Sequence, residues 1–69
     1  MIVLKAITIE GKTEYFNLQH IVTLTPDDKN ARLKILMGAG LYWWVERDSI
    51  EILNYSPNQL RDELRGLSL

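Results

Sequence analysis

Residues Leu33–Leu53, LKILMGAGLYWWVERDSIEIL, decide the fold of this chain of 69 residues. The segment contains both tryptophans and two of the four glycines. Two runs of apolar and aromatic residues, of the kind that suits a pleated and half-buried surface, flank Gly38-Ala39-Gly40. Because glycine adopts positive φ without a Cβ clash, a short glycine-rich loop between two such runs favours a β-hairpin. We therefore predict a hairpin followed by a third strand.

The faces of this hairpin follow from alternation, since successive side chains of a strand point to opposite sides of a sheet. We assign one face of both strands to the core: Leu33, Ile35, Met37, Leu41, Trp43 and Val45. The opposite, outer face carries Arg32, Lys34, Leu36, Tyr42, Trp44 and Glu46. Its large apolar members, Leu36, Tyr42 and Trp44, need cover from elsewhere in the chain or from a partner.

Length and composition favour one small domain spanning residues 1–69. A chain of this size buries only about 60% of its unfolded surface, so we expect marginal stability. Small domains gain stability from disulfides, metals or oligomerisation, and this chain has no cysteine and one histidine. Oligomerisation is therefore the expected supplement, as a homodimer or a higher homo-oligomer.

The charge balance gives no general attraction to nucleic acid or to anionic lipid, because the net charge is −1. No apolar run approaches the roughly 20 residues that span a bilayer, so we expect no membrane association. The N-terminal segment, MIVLKAITIEGK, lacks the basic start of a signal peptide. Together with the absence of cysteine, these features predict a cytoplasmic protein.

The N-terminal half is predicted to form strands over Ile2–Glu10, Thr13–Phe16 and Ile21–Leu24. The apolar residues of the first strand change parity between Leu4 and Ile7, which leaves two explanations. Either both faces are partly covered, or a bulge near Lys5-Ala6 resets the phase.

Polar and glycine-containing segments separate these strands. Gly11-Lys12 predicts the first turn, and Asn17–His20 predicts a turn in which Asn17 bonds its own backbone. Phe16 is expected to point inward, with Leu18 close behind it. We expect residues 26–30, PDDKN, to form an exposed turn before the hairpin.

A charged corner, Glu46–Ser49, follows the hairpin. After it, Ile50–Leu53 is predicted to be a closing edge strand with Ile50 and Ile52 inward. A short helix beginning at Asp48 is the alternative.

The C-terminal segment carries a helix start. Ser56 is the cap, Pro57 suits the first helical position, and Gln59 completes a capping box. We predict a helix over residues 57–65 with Gly66 as its C-cap. Leu60, Leu64 and Leu67 form an apolar stripe that must dock on the sheet or on another copy.

No residue pattern indicates catalysis. Carboxylates at Glu10, Glu14, Asp27 and Asp28 are expected to be solvated turn residues, and His20 has no partner placed by a motif. Gly38-Ala39-Gly40 lacks the GK[ST] ending of a phosphate loop. We therefore expect no enzyme, no metal site and no cofactor.

Two surfaces remain as candidate sites. The Leu36/Tyr42/Trp44 face is covered either by Leu60 and Leu64 of the C-terminal helix or by a partner, since tryptophan and tyrosine are enriched at interfaces. The second surface is the basic set Lys29, Arg32 and Lys34, which with a nearby aromatic face would suit single-stranded nucleic acid. Asp27 and Asp28 dilute that charge, which favours an ordinary solvated surface.

The chain resembles the small FlbD-like proteins of bacterial flagellar operons. The matching residues are Ile2, Leu4, Gly11-Lys12, Phe16-Asn17, Ile21, Leu24, Pro26-Asp27, Gly40, Tyr42, Val45 and Glu46. The resemblance implies a small, β-rich, cytoplasmic bacterial protein of accessory or regulatory type, and it implies no catalytic residue.

These observations predict a mainly β fold, with a small antiparallel sheet of about five strands curled toward an open barrel and one C-terminal helix. The expected function is a non-enzymatic protein-interaction or regulatory module that self-associates. The alternative is a small nucleic-acid-binding regulator built on a compact β-barrel. The expected interface residues are Leu36, Tyr42, Trp44, Leu60 and Leu64.

Overall fold

A computed structural model of the protein describes the backbone of residues 1–66, with side chains in that range except at positions 60, 63, 64 and 66. It is mainly β, as predicted. The first antiparallel sheet contains β1 (Ile2–Ile7), β2 (Thr13–Asn17) and β6 (Glu51–Asn54), in the order β2-β1-β6. The second contains β3 (Ile21–Asp27), β4 (Arg32–Met37) and β5 (Tyr42–Glu46), in the order β3-β4-β5. Helix α1 spans Pro57–Gly66.

The predicted hairpin is formed by β4 and β5. Met37 N–H donates to the Leu41 carbonyl at 2.8 Å, and Ala39 and Gly40 have φ values of 66° and 77° in the loop. The register places Leu33 opposite Val45 and Ile35 opposite Trp43. The predicted separation of the hairpin into a core face and an outer face is therefore confirmed for the two strands.

The core lies between the two sheets. Its buried members come from β1, β2, β4 and β5: Leu4, Ala6, Phe16, Ile35 and Val45. Partly buried apolar side chains surround them: Leu18, Ile21, Leu33, Met37, Trp43 and Ile50. The edge of the Trp43 ring meets Phe16, with ring centroids 5.4 Å apart. Leu41 was predicted to join this core, but it precedes β5 and is 60% exposed.

Two sheets of three strands replace the predicted sheet of about five, and no closed barrel forms among the described residues. The cause is local to the turn after β2. The Asn17 carboxamide oxygen accepts from Gln19 N–H, as predicted, and a 3₁₀ turn over Leu18–His20 redirects the chain. As a result, β3 pairs with β4 and starts a second sheet.

The sheets are joined where β1 ends beside β5. Thr8 forms an isolated antiparallel bridge with Val45, and Ile9 N–H donates to the Trp44 carbonyl at 3.1 Å. Thr8 is buried, and its hydroxyl accepts from Lys12 N–H at 3.1 Å within the tight turn at Gly11. This junction brings the end of β1 alongside the edge of the central hairpin.

The first strand is shorter than predicted and ends at Ile7. Its pairing with β2 is regular from Val3 to Ile7, so no bulge occurs at Lys5-Ala6. Leu4 and Ala6 face the core, whereas Val3 is buried on the opposite face. Both faces are thus covered at the start of the strand, whereas Ile7 and Ile9, which change the parity, are 43% and 40% exposed.

Two strand predictions needed correction. The strand predicted to end at Leu24 continues through Asp27, so Pro26 lies within β3 and not in a turn. Because β3 is an edge strand, the missing N–H of proline breaks no ladder.

Ile52 lies opposite Leu4 but is 59% exposed, so its predicted burial is wrong, while Ile50 packs on the core as predicted. The alternative helix at Asp48 is a single 3₁₀ turn over Arg47–Ser49, and β6 follows it.

The helix start is confirmed. Ser56 N–H donates to the Gln59 side-chain oxygen at 2.9 Å, and Gln59 N–H donates to the Ser56 hydroxyl at 3.2 Å. The helix ends one residue later than predicted. Docking of the Leu60, Leu64 and Leu67 stripe lies outside the described side chains. Within the described residues, no helix is long and apolar enough to cross a membrane.

Candidate interaction surface

The surface of the second sheet that faces away from the core carries nine side chains, and we call this surface the outer face. The register arranges it in three rows, each running from β3 through β4 to β5. The rows are Thr23, Leu36 and Tyr42; then Thr25, Lys34 and Trp44; then Asp27, Arg32 and Glu46. The sequence-based prediction that Leu36, Tyr42 and Trp44 share a face is therefore confirmed.

The apolar end of the outer face lies beside the glycine-containing loop. Leu36 is half-buried, whereas Tyr42 opposite it is 56% exposed. One further apolar side chain lies beside this end: Val22, 64% exposed. Val22 lies where the β3–β4 register shifts, so the irregularity leaves it exposed beside this row. Tyr42 and Val22 therefore leave large apolar surface exposed at this end of the sheet.

The middle row combines a cation with aromatic rings. Lys34 Nζ lies 4.6 Å from the centroid of the Tyr42 ring, within the range of a cation–π contact. Trp44, directly opposite Lys34, is half-buried. The Lys34 ammonium therefore lies over the Tyr42 ring, with a second aromatic side chain directly opposite the lysine.

The third row is charged. Arg32 Nε lies 3.8 Å from a Glu46 carboxylate oxygen and is buried without a hydrogen bond. Asp27 accepts from the side-chain amide of Asn30 at 2.8 Å. The ionisable side chains of the whole face are Lys34 and Arg32 against Asp27 and Glu46, so its formal charge is 2 − 2 = 0.

The predicted basic set does not form one cluster. Arg32 and Lys34 share the outer face, but Lys29 lies in the 3₁₀ turn over Asp28–Asn30. Beside it, Arg47 forms an ion pair and hydrogen bond with Asp28. Each cation of the face has an acidic or aromatic neighbour, which leaves no concentrated positive charge.

The other candidate residues from the sequence lie apart from this face. Glu10 is exposed in the first turn, Glu14 lies opposite Ala6 in β2, and His20 is exposed in the turn after β2. Among the described residues, no three side chains of histidine, cysteine, aspartate or glutamate approach each other closely enough to hold a metal ion.

The first sheet presents a contrasting outer surface. Lys5 Nζ lies 5.9 Å from the Tyr15 ring centroid and 3.9 Å from a Glu51 carboxylate oxygen. Tyr15 is exposed like Tyr42, but no second aromatic side chain of its strand shares its face, whereas Trp44 shares the face of Tyr42.

Sequence reasoning missed the exposure of Val22 beside the apolar end and the exposure of Leu41 at the end of the hairpin loop. Val22 lies in an uninterrupted β-branched run, and no glycine marks the register shift. Leu41 has the parity of a core residue, and only the start of β5 at Tyr42 shows that it lies outside the strand.

The chain matches no protein-family model, no curated protein and no solved structure at a significant level.

Proposed function

We propose that this domain is a non-enzymatic interaction module of regulatory type, and that it self-associates through the outer face. The observation that carries the proposal is the shared face of Leu36, Tyr42 and Trp44, on which Tyr42 is more than half exposed. Tyrosine and tryptophan dominate interface energetics because they bury a large area and lose few rotamers.

The layout of the outer face resembles that of a protein interface more than that of a nucleic-acid site. Apolar and aromatic side chains occupy one end of the face and the β5 side of its middle row, Lys34 lies at its centre, and charged side chains occupy the other end. Protein interfaces are enriched in tyrosine and tryptophan and have a polar rim. Nucleic-acid sites need an excess of positive charge, whereas this face carries equal numbers of acids and bases.

A second copy of the chain fits this face for the same reason. A two-fold dimer buries the same patch of both copies, so a net charge on the patch would repel itself. The outer face has no net formal charge, and Glu46 and Arg32 provide groups of both signs for pairing across the interface.

The nucleic-acid alternative rests on Lys34 and Arg32 lying beside two aromatic rings. In that reading, the two sheets joined at the Thr8–Val45 bridge form a curled, open-barrel binder. Mixed single-stranded oligonucleotides in a fluorescence-anisotropy titration test it. Affinity that falls steeply with salt and vanishes on charge reversal of Arg32 and Lys34 would favour the alternative over the protein interface.

The test of the proposed function is sedimentation of the wild type at micromolar concentration beside Trp44→Ala, Tyr42→Ala and the control Ile52→Ala, which truncates an exposed apolar side chain of the first sheet. A hot spot contributes about 2 kcal/mol, which weakens association about 30-fold. We expect that loss for Trp44→Ala, a smaller loss for Tyr42→Ala, and wild-type association for Ile52→Ala. A wild type that remains monomeric, or equal losses in all three variants, would refute the proposal.

The resemblance to FlbD-like proteins supports the regulatory part of the proposal. It favours an accessory role in the bacterial cytoplasm, in which the domain acts by binding other proteins. Capture of a specific partner by the wild type and not by Trp44→Ala would test that role.

A further inference from the structure

The direction of the backbone groups of β2 follows from the bonds at the ends of the first sheet. Thr8 N–H donates to the Lys12 carbonyl at 2.7 Å, and the register continues this pair directly into β1 and β2. Since hydrogen-bonded and non-bonded pairs alternate along an antiparallel ladder, Glu14 and Phe16 bond to β1. The N–H and C=O groups of Thr13 and Tyr15 and the N–H of Asn17 therefore point away from β1, toward the free edge, whereas the Asn17 carbonyl belongs to the 3₁₀ turn over Leu18–His20.

The other side of β1 is consistent with this assignment. Tyr55 N–H donates to the Met1 carbonyl at 2.8 Å in register with the pairing of β1 and β6. By alternation, Val3 and Lys5 bond to β6, and these are the residues of β1 that do not bond to β2.

Structural features interrupt or shorten the other free edges. On β3 the residues whose backbone groups point away from β4 are Leu24 and Pro26, and proline has no N–H to donate. On β5 the Trp44 carbonyl is taken by Ile9 and the Glu46 carbonyl by the Ser49 hydroxyl. Strand β6 has four residues and is followed closely by α1. These are known means of preventing edge pairing.

Strand β2 has none of these features within the part of the chain that the structure describes. It has five residues in regular register, no proline and no bulge, and its edge offers the outward N–H groups of three alternate residues, Thr13, Tyr15 and Asn17. We propose that a second copy of the chain pairs its β2 antiparallel with this edge, with Tyr15 opposite Tyr15, to form a continuous sheet of six strands.

The register of this pairing follows from hydrogen bonding and charge. The two-fold axis can pass through residue 14, 15 or 16, because in each case the outward N–H and C=O groups of one copy face those of the other. An axis at Glu14 would place two carboxylates directly opposite each other, which is destabilising. An axis at Phe16 would leave Thr13 without a partner. An axis at Tyr15 pairs Thr13 with Asn17 and Glu14 with Phe16, and it uses all three outward residues.

This edge is a different surface from the outer face, so the two proposals stand independently. The outer face belongs to the second sheet, whereas β2 is the edge of the first. A protein that used both surfaces would assemble beyond a dimer, because each two-fold contact uses a separate patch.

Residue-resolved amide exchange by NMR at micromolar and millimolar protein concentrations tests the proposal without a mutation. The Tyr15 and Asn17 amides should exchange about tenfold or more slowly at the higher concentration. The Leu24 amide, outward on the edge of β3, is the control and should not change. Tyr15 exchange that is independent of concentration would overturn the proposal.

A proline substitution provides the second test. Tyr15→Pro removes an N–H that points away from β1, so it breaks no bond between β1 and β2. Leu24→Pro is the control, because it removes an equivalent outward N–H from the edge of β3. Both are made in a Trp44→Ala background so that the outer face does not contribute. Sedimentation should show association lost for Tyr15→Pro and retained for Leu24→Pro. Equal association of the two variants would contradict the pairing, and if Tyr15→Pro does not fold, the exchange experiment decides alone.

Discussion

Trp43→Ala should remove a central contact of the core. Trp43 is half-buried on the inner face of β5, opposite the fully buried Ile35, and it forms an edge-to-face pair with Phe16 whose ring centroids are 5.4 Å apart. Truncation of a buried tryptophan costs roughly 3–5 kcal/mol, and partial burial favours the lower end. We expect a loss of about 3 kcal/mol, of which about 1 kcal/mol comes from the aromatic pair.

That loss is large for this domain. At 0.05–0.15 kcal/mol per residue, a chain of this length has a total stability of roughly 3–10 kcal/mol. The midpoint of thermal unfolding should fall by about 12–24 °C, at about 4–8 °C per kcal/mol.

Urea unfolding followed by circular dichroism measures this effect, at a concentration where the protein is monomeric. The control is Trp44→Ala, which removes the same residue type from the outer face of the same strand and should cost about 1 kcal/mol. A folded Trp43→Ala beside an unfolded Trp44→Ala would show that the two faces of β5 are assigned the wrong way round.

Three further substitutions test local features of the fold. Thr8→Val removes a buried hydroxyl that accepts a backbone N–H, and it should cost about 1–2 kcal/mol in urea unfolding. Gly40→Ala introduces a Cβ at φ 77° and should cost about 1 kcal/mol in the same assay, whereas Gly38→Ala should be nearly neutral; equal costs would contradict the loop geometry. Ser56→Ala removes the hydroxyl that accepts from Gln59 N–H at the start of α1. It should lower the stability of the helix by about 1 kcal/mol, measured as a loss of helical signal in circular dichroism.

Alternation along the chain predicted the hairpin and its two faces correctly, because the period of two is a local property of extended backbone. The capping box was equally predictable, since it depends on residues three positions apart. Where a feature depends on neighbours in the sequence, the residues were sufficient to locate it.

Features that depend on distant parts of the chain were not predictable in this way. Ile52 has the parity of an inward residue and lies opposite Leu4, yet it lies on an edge strand and remains exposed. Parity states which face a side chain occupies, but not whether another sheet covers that face.

Likewise, the split into two sheets depends on the turn at residues 18–20, which directs β3 away from β2. The sequence alone predicts a turn at Pro26, because proline is tolerated in β3 only through the position of that strand at a sheet edge.

The candidate site was predicted in part. Alternation placed Leu36, Tyr42 and Trp44 together, but the separation of Lys29 from Arg32 and Lys34 required the tertiary structure. The neutral charge of the face also became evident only from the strand register, which brings Asp27 and Glu46 beside Arg32.

The most direct test of the proposed self-association is an isotope-filtered NOE experiment on a mixture of labelled and unlabelled protein. Intermolecular NOEs report only protons of one copy that lie close to protons of another. We predict such NOEs to the side-chain protons of Leu36, Tyr42 and Trp44 on the outer face. An associated sample whose intermolecular NOEs lie only elsewhere, or a sample with none at millimolar concentration, would contradict the proposed role of that face.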